Sequence, residues 1–295
     1  MNRGLEMSKG YIVVNSFANN EKFSNLYNIL VKSFSKFHID LEIKTAIELG
    51  TEVNLQLKEK PDFVLFWDKD IYLAQRLENL GIKLFNSSRA IELCDNKILM
   101  YQELAKHNIR IPKTFIAPKT FEGLGYTNLS FIDDIANQIG YPLVIKEAYG
   151  SYGEQVYLAK NKEEAASIIN KIGYKDFLVQ EFIKSSCGKD IRVNVVRDQQ
   201  IVSILRENKT DFRSNISIGG VGSRFEPEQE YVDLAIKASL ALGLDFSGVD
   251  VMFGENNEPI ICEVNSNPQF VSTLKVTNTN LADFIAFYIA EYLRR

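Results

Sequence analysis

Two apolar runs, Val249–Phe253 and Pro259–Val264, flank the polar segment Gly254–Glu258. This pattern predicts an antiparallel hairpin. Its strands carry Asp250 within Gly-Val-Asp-Val-Met-Phe and Glu263 within Ile-Ile-Cys-Glu-Val-Asn. Alternate side chains share one face of a strand, so Glu263 and Asn265 point the same way, and pairing can set Asp250 opposite them. Two carboxylates and an amide oxygen are hard donors suited to magnesium held jointly with nucleotide phosphates. An acidic, solvent-facing hairpin is the alternative reading. It is disfavoured because an unpaired carboxylate on so apolar a strand is costly to bury, a cost that a bound cation relieves.

The rest of the composition narrows the chemistry. The chain has 295 residues, with 34 basic against 38 acidic side chains and a formal charge of -4. That balance gives no long basic surface for nucleic acid, and 45% hydrophobic residues suffice for two or three buried lobes. The start Met1–Gly10 is polar and Tyr11–Val14 is far too short for a signal core or membrane span, so a cytoplasmic protein without membrane partners is expected. Met7 is an alternative start. Cys94, Cys187 and Cys262 fit neither a disulfide framework nor a zinc pattern, and His38 and His107 are the only histidines. Carboxylates, lysines, arginines and a metal are left to carry any reaction.

The first third alternates strand-like runs (Tyr11–Val14, Leu41–Ile43, Phe63–Trp67, Ile82–Phe85) with helix-length polar stretches, the pattern of a small parallel α/β domain. Asn15, Ser16 and Phe17 follow the first strand where a dinucleotide-binding turn needs glycines. The texture changes near residue 95, which predicts units 1–94, 95–183 and 184–295. Helices are expected over Asn96–His107, Asn161–Ile172 with a capping box from Asn161 and Glu164, Tyr231–Leu242 closed by Gly243, and Leu281–Arg295. Strands are expected over Ile111–Ala117, Pro142–Ala148, Val156–Ala159 and Phe177–Ile183, with a hairpin Ile191–Val196 and Ile201–Leu205 turning through Arg197–Gln200.

Lys146 lies on an apolar strand that runs into Gly150-Ser151-Tyr152-Gly153, so its ammonium and the loop amides can meet a phosphate. A snorkelling lysine beside a plain turn is an equal alternative. Gln180-Glu181-Phe182 offers polar groups to an adenine edge or ribose, or marks a protected edge strand. Asp190, Arg192, Arg206 and the segment Asp211-Phe212-Arg213-Ser214-Asn215 gather three guanidinium groups suited to carboxylate and phosphoryl oxygens. Surface ion pairs are the bland reading of each. Gly219-Gly220-Val221-Gly222 reads as a lid or a connection.

In this order, Lys97, Lys146 with Gly-Ser-x-Gly, Gln-Glu, Asp-Ile-Arg, Asp-Phe-Arg-Ser-Asn, Gly-Val-Asp and Glu-Val-Asn, the pieces resemble the RimK-like branch of the ATP-grasp superfamily, which includes glutamate ligases, over about residues 95–285. The resemblance implies an α/β pre-ATP-grasp domain followed by a two-lobed ATP-grasp fold. It implies that Lys97 and Lys146 contact ATP phosphates together with Gly150, Ser151 and Gly153. Glu181 and Phe182 fall at the adenine hinge, Asp190 near the ribose and phosphate end, and Arg213, Ser214 and Asn215 at the ATP and acyl-phosphate site. Asp250, Glu263 and Asn265 would hold two magnesium ions, manganese being an alternative, with Arg192 and Arg206 near the reacting carboxylate. One departure stands out: similar sequences continue Gly-Ser-x-Gly-x-Gly, whereas this chain has Gln155, which implies a stiffer or differently closed phosphate lid.

The activity implied is ATP-dependent joining of a carboxylate to an amine through an acyl phosphate, with Arg206 stabilising the tetrahedral intermediate and glutamate the favoured amino acid. The acceptor is a small molecule, a peptide or a protein tail, and self-association stays open. A small-molecule kinase and a non-catalytic ATP-binding module are the competing readings.

Overall fold

Apolar strands sandwiched between helices open the chain. The computed structural model describes residues 7–18, 20–54 and 56–295, so the Met1–Glu6 part of the expected leader lies outside the described residues. β1 (Ser8–Val14), α1 (Glu21–Ser35), β2 (Ile39–Thr45), α2 (Ala46–Leu49), β3 (Phe63–Trp67), α3 (Ile71–Asn79) and β4 (Lys83–Phe85) form a parallel sheet of order β2-β1-β3-β4. β1 and β3 bury both faces: Ile12 and Leu65 pack toward α1, while Val13 and Phe66 pack toward α3. A strand covered on both sides reads as an unbroken apolar run, which is why these strands are visible in the sequence. Gly10 is required by packing, since a Cβ there would lie 2.3 Å from the Phe63 ring.

The second lobe begins at a helix junction. α4 (Ser88–Asp95) ends and α5 (Lys97–Lys106) starts around Asn96, whose side chain accepts from the Ile98 and Leu99 amides. There follow β5 (Thr114–Ile116), α6 (Ser130–Ile139), β6 (Leu143–Glu147), β7 (Val156–Ala159), α7 (Lys162–Ile172) and β8 (Phe177–Glu181), with the strands in the antiparallel order β5-β8-β6-β7. Only half of the expected capping box forms on α7. Asn161 accepts from the Glu164 amide at 2.9 Å, but the Glu164 carboxylate turns back to the Lys160 amide at 2.8 Å instead of to Asn161. α6 has no side-chain cap at Leu129, and no start signal announces it.

β9 (Lys189–Val196), β10 (Gln199–Glu207), β11 (Val221–Arg224), α8 (Gln229–Ala241), β12 (Phe246–Phe253), β13 (Pro259–Asn265), α9 (Val271–Thr277) and α10 (Leu281–Leu293) complete the chain. The strands form an antiparallel sheet of order β11-β10-β9-β12-β13. The first hairpin turns on Arg197 and Asp198 alone, with Arg197 at φ 57°, so Gln199 and Gln200 belong to β10. Val221 and Gly222 are not part of a loop. They start edge strand β11, and Gly220 is required at its entry, because a Cβ there would lie 2.1 Å from the Ser214 carbonyl oxygen. α10 returns to the first sheet, where Leu281, Ile285 and Ile289 share a core with Leu30 and Leu65. No helix among the described residues is long and apolar enough to cross a membrane.

Candidate active site

The sheet of β5-β8-β6-β7 and the sheet of β9 to β13 face each other across a cleft. Fourteen of the sixteen residues singled out in the sequence line it: Lys97, Lys146, Gly150, Ser151, Gly153, Glu181, Phe182, Asp190, Arg206, Arg213, Ser214, Asn215, Asp250 and Glu263. Arg192 and Asn265 do not line it.

Strand pairing builds one wall. Asp250 on β12 is the Cα partner of both Glu263 on β13 and Arg192 on β9, so the three side chains form a row across three strands. A register shift after Asp250 leaves Cys262 as the extra residue of a bulge. Arg192 donates from Nε and, at 2.9 Å, from Nη2 to the Asp250 carboxylate. Arg206 donates to Asp190 at 2.7 and 2.6 Å, and its Nη2 also stands 2.8 Å from Asp250 Oδ1. Burial alone would push the Asp250 carboxyl up, but the Arg192 and Arg206 guanidinium groups outweigh it and hold the carboxyl below its ordinary value. Contrary to the sequence expectation, Asp250 needs no metal to offset its burial, because two arginines already do so.

Glu263 is less enclosed, and its Oε1 lies 3.2 Å from Lys97 Nζ, which also donates to the Gly150 carbonyl at 3.1 Å. Asn265 holds the Gly248 carbonyl through Nδ2 at 3.5 Å. Among the described residues no three His, Cys, Asp or Glu side chains are grouped so as to hold a metal ion. The oxygen set is thus two carboxylates facing each other plus a neighbouring amide, all hard donors that fit a divalent ion sharing further ligands with phosphate and water.

Lys146 anchors the opposite wall. Its buried Nζ donates to the Tyr101 hydroxyl at 3.1 Å, and Tyr101 in turn donates to the Cys262 carbonyl. Burial pushes the Tyr101 hydroxyl up and the Cys262 thiol to about 11, so both are neutral and Cys262 is no nucleophile. Tyr101 was missed in the sequence because it sits among the apolar residues of α5 and reads as core.

Behind the lysines, Val144, Val156, Ile183 and Met252 form an apolar slot beside the end of β8. These residues carry no chemistry and gave no sequence signal, yet such a slot suits a flat heterocycle. The Glu181 carboxylate is tied to the Lys113 amide at 2.7 Å and so braces the strand end.

The glycine-rich loop closes the cleft. Arg213 pairs with Asp211 at 2.7 Å and donates from Nη1 to the Gly153 carbonyl, clamping the loop to the β10–β11 connection. Gly153 has φ 80°, and a Cβ there would stand 3.1 Å from Asn215 Oδ1. Beyond the cleft, Asn194 Oδ1, Asn267 Oδ1 and Gln269 Oε1 are buried without a hydrogen-bond partner.

This two-sheet cleft has counterparts among known proteins. The RimK-like ATP-grasp domain family matches residues 94–289. The chain is 36% identical to human N-acetylaspartylglutamate synthase A over 83% of its own length and 65% of that protein. It is 31% identical to the alpha-aminoadipate–LysW ligase LysX of Sulfurisphaera tokodaii over 74% of the chain and 75% of that protein. The ATP-grasp ligase PsnB, solved with a phosphomimetic variant of its minimal precursor, Mg and ADP, shares the fold at a TM-score of 0.69 and 16% identity, covering 95% of this chain and 98% of that one. The chain belongs to the RimK-like ATP-grasp family and is an ATP-dependent ligase that forms amide bonds.

Proposed function

We propose that this ligase converts a carboxylic acid to its acyl phosphate with magnesium ATP and passes the acyl group to the amino group of an amino acid, glutamate being favoured. The observation that carries the reading is the paired Asp250 and Glu263 facing buried Lys146 across one cleft. The glutamate preference draws on the chain's 36% identity to a synthase whose product name contains glutamate.

In this reading Val144, Val156, Ile183 and Met252 take the adenine against the β8 end at Glu181 and Phe182, and Asp190 lies toward the ribose and phosphates. Lys97, Lys146 and the loop that carries Gly150, Ser151 and Gly153 receive the phosphates. Asp250, Glu263 and Asn265 would hold two magnesium ions, whose charge would offset that of the phosphates. Arg206 faces the tetrahedral oxyanion, while Arg213, Ser214 and Asn215 close over the acyl phosphate. Arg192 acts through Asp250, fixing its orientation. Units 1–94, 95–183 and 184–295 serve as substrate platform, nucleotide lid and metal-bearing lobe of a cytoplasmic enzyme.

ADP release tests this. Release should require both an acid and glutamate, yield a product heavier by the glutamyl residue, and vanish in Glu263→Gln with the fold retained. ADP release that needs no amine and leaves a stable phosphorylated acid would replace the ligase reading with a kinase.

A further inference from the structure

The glycine-rich loop carries one side chain that the functional reading has not absorbed. Gln155 lines the cleft together with Gly150, Ser151 and Gly153. Its Oε1 accepts from the Ser151 backbone amide at 3.2 Å. The carboxamide is seated tightly against the loop, because a Cβ on Gly150 would lie 2.4 Å from Oε1 and 2.9 Å from the Gln155 Cβ. The backbone around it is closed as well, with the Glu147 amide donating to the Gln155 carbonyl at 3.1 Å and the Glu154 amide to the Ser151 carbonyl at 3.2 Å.

The direction of the Ser151 contact fixes the orientation of the carboxamide. An amide N–H can only donate, so the oxygen of Gln155 must face Ser151 and the nitrogen must face the other way. Among the described residues Nε2 donates to no acceptor, and it is not one of the buried unpartnered atoms. The residue therefore presents two free N–H donors beside a loop whose own Ser151 amide is already spent.

We propose that Gln155 is a nucleotide-phosphate contact in which Oε1 latches the loop through the Ser151 amide and Nε2 donates to a phosphate oxygen. The side chain hands the donor capacity of Ser151 forward into the cleft, so the loop is ordered before nucleotide arrives. A glycine at this position would leave the Ser151 amide to meet phosphate directly from a looser loop. The assignment rests on the nucleotide reading of the cleft.

Two variants separate this role from a purely structural latch. Gln155→Ala removes both latch and donor, whereas Gln155→Glu keeps an acceptor for Ser151 and replaces the donor with a carboxylate oxygen that repels phosphate. Calorimetric titration with Mg·ADP and Mg·AMPPNP should show about three- to tenfold weaker binding for Gln155→Ala, the scale of one neutral hydrogen bond. Binding by Gln155→Glu should be weaker than by Gln155→Ala, with thermal unfolding like that of wild type. Wild-type affinity in Gln155→Glu would reduce the side chain to a latch and overturn the proposal. Tighter binding by Gln155→Ala would overturn it too, because the side chain would then compete with phosphate. A wild-type protein that binds neither nucleotide would remove the nucleotide reading itself, and this assignment with it.

Discussion

Arg192 and Asp250 stand as Cα partners on β9 and β12, and the guanidinium grips the carboxylate from Nε and Nη2. Gly248, two residues along β12, leaves the room, since a Cβ there would meet Arg192 Nη1 at 2.9 Å. Arg192→Lys keeps the charge but loses the fork. It should lower kcat at least tenfold with little change in KM for ATP. Arg192→Met leaves the buried Asp250 to Arg206 alone and should lower unfolding free energy by about 3 kcal/mol in urea titration.

The same pair sets a pH dependence. The Asp250 carboxyl is held below its ordinary value of 3.8, so the stability it contributes is complete above that value and is lost as pH falls through the lower, folded value. Acid unfolding of wild type should therefore steepen below pH 3.8, and Asp250→Asn should be less stable at neutral pH but less sensitive to acid in that window. An unchanged acid limb in the variant would contradict the pairing.

Tyr101 links the two walls, accepting from Lys146 and donating to the Cys262 carbonyl. Tyr101→Phe should free the Lys146 ammonium to wander and raise the KM for ATP several-fold, while lowering stability by about 1 kcal/mol. An unchanged KM would mean that Lys146 needs no positioning by Tyr101.

Gly153→Ala meets two obstacles, a φ of 80° and Asn215 Oδ1 at 3.1 Å from the new Cβ. Activity should fall with global stability lowered by only about 1 kcal/mol, because the strain is local to the loop. Hydrogen exchange should show faster exchange confined to residues 149–156 and 211–217.

Much of this was legible because the chemistry coincides with local patterns. β3, β7 and the β12–β13 hairpin were visible in the sequence because apolar runs are bounded by polar turns. The partnership of Arg192, Arg206 and Asp250 was not, because strand order, not sequence spacing, brings β9 between β10 and β12. Val144, Ile183 and Met252 were silent for a different reason: a slot for a flat ring is lined by residues indistinguishable from core. α10 is predicted as a closing helix, but nothing in its periodicity says that it packs on the first sheet. The Gln155 contact depends on a side-chain orientation that no motif encodes.

The acyl phosphate is the centre of the account, and isotope transfer reads it directly. An acid substrate identified by ADP release is labelled with oxygen-18 in its carboxylate, coupled to glutamate, and the released phosphate is analysed by phosphorus NMR. One labelled oxygen should appear in each phosphate, since the carboxylate oxygen that attacks ATP leaves with the phosphoryl group. Unlabelled phosphate alongside amide product would contradict an acyl-phosphate route through this cleft.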